Sequence, residues 1–385
     1  MRILLVIEAA GGGSGRHVID LARELARQGH HVAVIYSPTR TEPRFEAEIA
    51  ALPIVLARLP MRRAVGPWDI PTARAMKRLV AQLGPFDIVH AHSSKAGALL
   101  RAVAPKGAAR VYTPHAFRTM DPGLGGAARV AYGVVEALLA RFCTDALIAV
   151  APEEAAHARN LGIPARKIHT IVNGVSPAPP VNRVEARAEL GLAPDDIAVG
   201  FVGRLCEQKD PERFARAIRI ARAADPRIRG VVLGDGELAE GVRRAGGDGV
   251  ALFKGRDARL FLPAFDLFAM TSRYEGMPYV LLEALQAGLP IVSTEVGGTS
   301  VAVDGRNGLL APVDVTAEGF AALLLKMTDP VTRAAMASAS AKLGETVTVE
   351  TMVAATKAIY AMARLGAHSR TPRELASASA NAPAS

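Results

Sequence analysis

The chain has 385 residues, half of them hydrophobic, and carries 46 basic against 37 acidic side chains. This length favours two domains over one, and the composition excludes a disordered chain. The charge is uneven, because residues 1–172 hold 22 basic and 13 acidic side chains whereas residues 173–385 hold 24 of each. We therefore expect an anionic partner for the first half, with nucleic acid, a membrane surface or a phosphorylated substrate as candidates.

A membrane span and a disulfide framework are both unexpected. The most apolar long stretch, residues 130–150, is interrupted by three charged side chains, and a spanning helix needs about 20 mainly apolar residues. The apolar run at residues 3–7 is too short for a signal peptide. Cys143 and Cys206 lie far apart, which fits packed thiols in a reducing compartment. These features predict a cytoplasmic protein.

The first half alternates short apolar runs with amphipathic stretches, the pattern of a parallel sheet covered by helices on both faces. Gly11–Gly15 follows the first run and precedes a helix that ends at Gly29. The predicted strands are residues 3–7, 32–36, 54–59, 88–90, 111–113 and 146–150.

The same pattern restarts in the second half. Its predicted strands are residues 198–202, 231–233, 267–269 and 291–293, and its predicted helices are residues 211–223 and 280–287. A Pro/Gly-rich stretch near Asn173 and Gly174 marks the domain boundary. Residues 349–364 read as a further helix, and the Ala/Ser/Pro-rich residues 367–385 are expected to be disordered.

The glycine-rich loop suits an anion or a sugar, because backbone N–H groups at a helix N-terminus face such a ligand. A dinucleotide site is disfavoured, since the third glycine of G-x-G-x-x-G is replaced by Arg16 or Val18. The second strand also ends without an acid for a ribose. A plain glycine-rich turn between a strand and a helix is the alternative.

Two carboxylates stand eight positions apart, at Glu275 and Glu283. Pro278 suits the first turn of a helix, so Glu275 is expected in the preceding loop and Glu283 on the helix. Such a pair suits two hydroxyl clusters of one extended polar ligand. The spacing alone is weak, because many helices carry acids, and it gains weight from Arg204 and Lys209 in the same half.

Together these segments resemble the retaining GT-B glycosyltransferases known as family 4. The similarity covers residues 3–312 and rests on motifs that are specific in combination. They are Glu275 to Glu283 as the E-x7-E pair, Val202-Gly203-Arg204-Leu205 with Lys209, Gly234-Asp235-Gly236, Asp304-Gly305-Arg306-Asn307-Gly308, His90-Ala91-His92 and Thr113-Pro114-His115.

The resemblance implies a fold of two doubly wound Rossmann-like domains that face an interdomain cleft. The expected domains are residues 1–172 on the acceptor side and 173–348 for the nucleotide sugar, with a helix near 349–366 that packs back on the first domain. The donor would be a nucleotide diphosphate sugar, most commonly a UDP-sugar in this family. No cofactor or metal is expected. No D-x-D is present in the sequence, which agrees with that expectation.

The resemblance also implies roles for individual residues. Glu275 and His115 would contact the donor sugar, Glu283 the ribose and Arg256 the base, while Arg204 and Lys209 would bind the diphosphate and stabilise its charge as it leaves. Gly203, Met277 and Pro278 would line the same donor site, and Gly12 and Gly13 would lie beside the acceptor and the phosphates. His90 and His92, two apart at a strand end, are expected on opposite faces, which makes a metal pair improbable.

The basic residues of the first half concentrate in one segment, at Arg58, Arg62, Arg63, Arg74, Lys77 and Arg78, with Leu59, Met61 and Trp68 among them. This pattern predicts docking on the inner face of the cytoplasmic membrane and a lipid-linked glycan acceptor. A solvated helix face is the alternative, and nucleic acid is not expected because no reading module is recognised.

Three other functions remain open. A soluble enzyme of the same fold would make a disaccharide or a polymer. A nucleotide-sugar epimerase would need no acceptor. A nucleotide-sugar-binding protein without activity is disfavoured by the presence of Arg204, Lys209, Glu275 and Glu283.

Overall fold

The computed structural model describes residues 1–177 and 180–368, which form two compact units. Unit 1 comprises Met1–Asn173 and the segment from Val349 to His368, and unit 2 comprises Gly174–Thr348. Each unit is a parallel β-sheet with helices. The last helix runs two residues into the segment predicted to be disordered, and residues 369–385 of that prediction lie outside the described residues.

Unit 1 contains a sheet of seven parallel strands in the order β3-β2-β1-β4-β5-β6-β7. The strands are β1 Arg2–Ile7, β2 His31–Tyr36, β3 Val55–Arg58, β4 Ile88–His92, β5 Ala109–Thr113, β6 Ala146–Ala149 and β7 Ile168–Thr170. The central strand β1 is buried from Ile3 to Ile7 on both faces, which explains its unbroken apolar sequence. β7 was not among the predicted strands.

Helices cover both faces of this sheet. They are α1 Gly12–Arg27, α2 Pro43–Ala50, α3 Asp69–Leu83, α4 Ser94–Val103, α5 Gly126–Cys143, α6 Pro152–Asn160 and α14 Val349–His368. One hydrophobic core packs α1, α2 and α14 against one face of the sheet. A second hydrophobic core packs α3, α4 and α6 against the other face. The alternation of side chains along each strand assigns successive residues to these two cores, with Leu5 in the first and Leu4 in the second.

Unit 2 contains six parallel strands in the order β10-β9-β8-β11-β12-β13. The strands are β8 Ile197–Val202, β9 Ile228–Leu233, β10 Val250–Phe253, β11 Leu267–Met270, β12 Ile291–Thr294 and β13 Gly308–Ala311. The helices are α7 Arg183–Glu189, α8 Pro211–Ala224, α9 Ala239–Gly246, α10 Tyr279–Gln286, α11 Thr299–Ala302, α12 Ala317–Lys326 and α13 Pro330–Gly344. β10 and β13 complete the two edges and were not predicted.

Both units are therefore doubly wound, and the predicted α/β class is confirmed. In each sheet, loops at the carboxyl ends of the strands carry most of the predicted site residues, as expected for open parallel sheets. Among the described residues, no helix combines the length and the hydropathy needed to cross a bilayer.

Candidate functional site

Lys209 and Glu275 form an ion pair in unit 2. The Lys209 Nζ lies 2.6 Å from the Glu275 Oε1, and the two side chains keep only 15% and 9% of their surface exposed. Lys209 ends the loop after β8, and Glu275 lies in the loop between β11 and α10. The fold thus brings together two residues that the sequence singled out in separate motifs.

Backbone and side-chain hydrogen bonds fasten these two loops to each other. The Thr271 hydroxyl donates to the carbonyl oxygens of Lys209 and Asp210, at 3.1 and 2.8 Å. The Arg273 N–H donates to the Gln208 carbonyl at 2.8 Å, and the Gln208 amide donates to the Tyr274 carbonyl at 3.0 Å. The Lys209–Glu275 pair is consequently held by a frame of four hydrogen bonds.

Arg204 lies in the same loop as Lys209 and is exposed. Among the described residues it makes no salt bridge. Its loop begins at Gly203 and is supported by the Gly234–Gly236 turn, because the Leu205 N–H donates to the Asp235 carbonyl at 2.8 Å. An exposed guanidinium in the same supported loop as Lys209 suits an anionic ligand.

Pro278 caps the N-terminus of α10 and is not in its first turn. Glu275 lies in the preceding loop and Glu283 is half-buried on the helix, as the spacing predicts. Met277 and Pro278 are buried, and a Cβ at Gly298, whose φ is +77°, would lie 2.9 Å from the Met277 Cα. A side chain at position 298 would therefore displace the turn that carries Glu275.

Arg256 forms a separate cluster in unit 2. Its guanidinium lies 3.2 Å from the Glu189 carboxylate and 5.4 Å from the centre of the Phe261 ring. The side chain remains 45% exposed. Within the described part of the chain, no contact joins Arg256 to Lys209 or Glu275, so its predicted role at a base stays a prediction.

The glycine-rich loop of unit 1 is exposed at Gly12 and Gly13. Gly12 adopts a φ of +58°, which disfavours any residue with a side chain. Its N–H donates to the Glu42 carboxylate at 3.0 Å. Glu42 was not singled out from the sequence, and in the structure its carboxylate accepts from an N–H group that was predicted to face an anionic or sugar ligand.

His115 lies on a turn just after β5, and both His115 and Ala116 have positive φ values of 54° and 72°. The buried Glu154 carboxylate accepts hydrogen bonds from the Ala116 N–H at 2.6 Å and the Val150 N–H at 2.7 Å. Burial raises the pKa of Glu154 to about 7, although these two bonds act in the opposite direction. Glu154 therefore ties the turn of His115 to the end of β6, and no sequence motif pointed to it.

Four histidine rings cluster at this end of unit 1. The His90 and His92 rings lie 4.1 Å apart between centroids, so the expectation that they face away from each other is wrong. Residues two apart on a strand point to the same face of a sheet, so β4 places the His90 and His92 rings side by side, and the prediction applied the alternation incorrectly. His17, on α1, completes the group and was not predicted.

The hydrogen bonds of these rings differ. Both nitrogens of His90 are satisfied, by the Tyr360 hydroxyl at 2.6 Å and the Thr113 hydroxyl at 2.8 Å. His17 Nδ1 lies 2.9 Å from the Asn173 side-chain oxygen, and His92 Nδ1 lies 3.1 Å from His115 Nε2. Burial lowers the pKa of all four, to about 4 for His17 and well below the ordinary value for the others.

Two apolar residues of the basic segment that were predicted to face a lipid surface are buried. Leu59 and Met61 are buried in the core of unit 1 and are not available to a lipid surface. Arg62 stacks over the Trp68 ring at 5.1 Å, while Val65 and Ile70 are exposed. The apolar component of any docking surface must therefore come from other residues.

Helix α5 provides such residues. Its outward side, called here the α5 face, exposes Val130, Val134, Val135, Leu138 and Phe142, each by 48% to 68%. The single acid of this helix, Glu136, is buried and pairs with Arg101 at 2.6 Å. The α5 face is therefore apolar and free of acidic side chains.

Two family profiles match the chain. The profile described as Glycosyltransferase Family 4 matches residues 11–178, and the profile described as Glycosyl transferases group 1 matches residues 196–329. The two matched stretches contain every predicted site residue of both units.

Individual relatives agree with these profiles. The chain is 31% identical to an Escherichia coli UDP-Gal:alpha-D-GlcNAc-diphosphoundecaprenol alpha-1,3-galactosyltransferase over 63% of this chain and 67% of that protein. It is 30% identical to the D-inositol 3-phosphate glycosyltransferase of Kribbella flavida over 89% of this chain and 90% of that protein.

A solved structure shares the fold. The Anabaena protein HepE in complex with UDP has a TM-score of 0.78 and 20% identity, and the match covers 94% of this chain and all of that one. WaaG, a glycosyltransferase involved in lipopolysaccharide biosynthesis, has a TM-score of 0.71 and 18% identity, with 93% and 98% coverage. The two-domain Rossmann-like architecture is thus common to these proteins.

Proposed function

Because the chain belongs to glycosyltransferase family 4, we propose that it transfers a sugar from a nucleotide diphosphate sugar with retention at the anomeric carbon. The observation that carries the proposal is the 2.6 Å Lys209–Glu275 pair, together with the exposed Arg204 in the same loop as Lys209. A cation for the diphosphate and an acid for the sugar hydroxyls stand side by side there, as one donor molecule requires.

The chemistry follows from these charges. The bond between the anomeric carbon and the diphosphate oxygen breaks, and the acceptor hydroxyl oxygen forms the new glycosidic bond on the same face. The acceptor proton passes to the departing diphosphate. Arg204 and Lys209 offset the negative charge that grows on the leaving group, so this step needs no metal ion. No side-chain nucleophile is required.

The other predicted residues complete the donor site in this proposal. Glu283 holds the ribose, Arg256 faces the base, and Gly203, Met277 and Pro278 line the pocket. In unit 1, His115 contacts the sugar, and Gly12 and Gly13 lie beside the acceptor and the phosphates. Donor binding would then require Glu42 to release the Gly12 N–H or to share it.

Replacement of Glu275 tests the reaction. We expect Glu275→Ala to lower kcat/KM by about 100-fold or more, the scale of losing one electrostatic contact in the transition state. The matched control is Glu240→Ala, which removes an exposed acid of unit 2. Transfer is measured with purified protein, and circular dichroism checks that the variant is folded. Turnover at the wild-type rate in folded Glu275→Ala would contradict the proposal.

The donor base is tested by ligand-induced stabilisation. A donor present at about 100 times its dissociation constant stabilises the folded chain by about 2.7 kcal/mol. We propose a UDP-sugar, supported by the UDP in the solved HepE complex. A melting-temperature increase with a GDP- or ADP-sugar and none with UDP-sugars would reject that assignment.

We propose a lipid-linked glycan as the acceptor, in the biosynthesis of a cell-surface polysaccharide. The name of the Escherichia coli relative specifies a diphosphoundecaprenol acceptor. In this chain, the excess basic charge and the α5 face both belong to unit 1. A cytoplasmic protein that docks peripherally on anionic lipid would use both features.

Vesicle binding tests the membrane part of the proposal. Sedimentation with anionic vesicles is expected to fall at least several-fold in Val134→Glu and in the triple reversal of Arg62, Arg63 and Arg74 to Glu. Val331→Glu, at an exposed apolar residue of unit 2, is the control and should bind as the wild type does. Equal vesicle binding by all variants would reject these residues as the docking surface, and no binding by the wild type would leave a soluble disaccharide or polymer synthase as the better description.

The product distinguishes the remaining alternatives. A transferase yields a glycosylated acceptor and a free nucleoside diphosphate. An epimerase changes the nucleotide sugar with no acceptor present, and a binding protein leaves it intact. Nuclear magnetic resonance of the reaction mixture separates these three outcomes.

A further inference from the structure

We propose that His17, His92 and His115 form a binding site for a divalent transition metal, with Zn²⁺ as the best match. One ring nitrogen from each of the three residues lies within 4.8 Å of the others. The residues come from α1, the end of β4 and the turn after β5, so the fold of unit 1 assembles them from three segments.

The hydrogen bonds leave nitrogen lone pairs for a ligand. The Asn173 side-chain oxygen accepts from His17 Nδ1, so the proton of this ring is on Nδ1 and the lone pair is on Nε2. His17 Nε2 is buried and has no hydrogen-bond partner. His92 Nδ1 and His115 Nε2 lie 3.1 Å apart, and a metal ion bound to both would replace the hydrogen bond between them. An imidazole oriented by an oxygen acceptor on its far nitrogen is the usual arrangement of a metal-binding histidine.

The chemistry of the three donors selects the metal. Neutral imidazole is the form that binds metals, and burial disfavours the charged form of all three rings. Three imidazole nitrogen donors suit Zn²⁺ and similar first-row transition metals, whereas Mg²⁺ and Ca²⁺ prefer oxygen ligands. His90 is not a ligand, because both of its nitrogens are already bonded.

The required movement is small. Zn–N bonds of about 2.0–2.1 Å in a tetrahedral site place neighbouring nitrogens about 3.3 Å apart. His92 Nδ1 and His115 Nε2 already lie 3.1 Å apart, so only the His17 nitrogen must come closer to these two atoms. His115 is the least buried of the three, so a fourth position for water or another ligand opens on its side.

The metal site does not depend on the proposed transferase activity. Metal binding takes no part in departure of the diphosphate. If His115 also contacts the donor sugar, the metal and the sugar compete for it, and Zn²⁺ is then an inhibitor.

Direct metal binding tests this proposal. The full chain is stripped with a chelator, dialysed against Zn²⁺ and assayed for bound metal, and the same titration with Co²⁺ is followed by its visible absorption. We expect one equivalent per chain and at least a tenfold weaker affinity in His17→Gln and in His115→Ala. His31→Gln, which alters an exposed histidine on β2, should bind as the wild type does.

Two results would overturn the site: no stoichiometric metal on the wild type, or unchanged affinity in His115→Ala. If His17→Gln does not fold, Asn173→Ala replaces it, since loss of such a supporting hydrogen bond weakens metal affinity about 10- to 100-fold. Metal binding by a chain that transfers no sugar would retain the site and reject only the proposed function.

Discussion

Lys209 and Glu275 neutralise each other in the structure. Removal of one partner from a largely buried ion pair leaves an uncompensated charge, which costs about 3–5 kcal/mol in well-buried cases. Their pairing therefore serves stability as well as the proposed chemistry. A donor molecule that engages both residues would replace one arrangement of opposite charges with another and leave neither charge unpaired.

Glu154 makes the stability of unit 1 depend on pH. Burial raises the pKa of this carboxyl from 4.5 to about 7 in the folded chain, so the folded chain binds the proton more tightly than the unfolded chain. Stability is therefore greatest below about pH 4.5 and falls as the pH rises to about 7, by on the order of 3 kcal/mol from this group.

Glu154→Gln should remove this pH dependence. Urea unfolding at about pH 5 and pH 8 is expected to show a smaller decline for the variant than for the wild type. Glu153→Gln, at the neighbouring and less buried acid, is the control. A decline of equal size in Glu154→Gln and the wild type would contradict the assignment of the titration to Glu154.

The residues that a motif identifies and those that it misses differ in a physical way. Lys209 and Glu275 were singled out because their chemical types match a charged ligand, yet their mutual contact depends on two distant loops. Glu154 and Glu42 accept hydrogen bonds from backbone N–H groups, and such bonds cannot be recognised from the spacing of residue types in a sequence. The His90–His92 contact was mispredicted because residues two apart on a strand share a face, whereas the prediction placed them on opposite faces.

At the level of elements, the central strands were predictable, whereas three of the four edge strands were not. β1 is buried along both faces and reads as an unbroken apolar run. β7, β10 and β13 lie at the edges of their sheets, have only three or four residues and are partly exposed, so their sequences lack a period. Helices α8 and α10 were predicted within one residue at each end.

Two neighbouring glycines at the start of α1 should respond in opposite ways to alanine. Gly12→Ala is expected to destabilise the chain by about 1–2 kcal/mol, because its φ of +58° is unfavourable for a residue with a Cβ. Gly13→Ala should be neutral or stabilising by up to about 1 kcal/mol, because alanine favours the helix. Urea unfolding measures both, and equal destabilisation would contradict this account of the loop.

At the scale of the whole molecule, the chain leaves unit 1 after Asn173 and returns to it at Val349. Periodicity predicts a helix in this last segment but not the sheet that it covers. In the structure, α14 places Met352, Val353 and Tyr360 in the same core as β1 and α1. Unit 1 is therefore assembled from two stretches of sequence, whereas unit 2 is continuous.

Two methionines of α14 test how strongly this helix supports unit 1. Met352 is 1% exposed and Met362 is 45% exposed. Met352→Ala should lower the free energy of unfolding by about 2–5 kcal/mol, because it leaves a cavity in the core. Met362→Ala should change it by less than about 0.5 kcal/mol. Similar values for both variants in urea unfolding would indicate that α14 does not stabilise the core of unit 1.

The return of α14 also sets an order of events during synthesis on the ribosome. The strands of unit 1 emerge first, but the helix that covers one side of their sheet is translated only after all of unit 2. At roughly 5–20 residues per second, the delay is on the order of 10 seconds or more. During that interval the apolar surface around Ile3, Leu5 and Val111 has no α14 to cover it, so the nascent chain is a natural client for a chaperone.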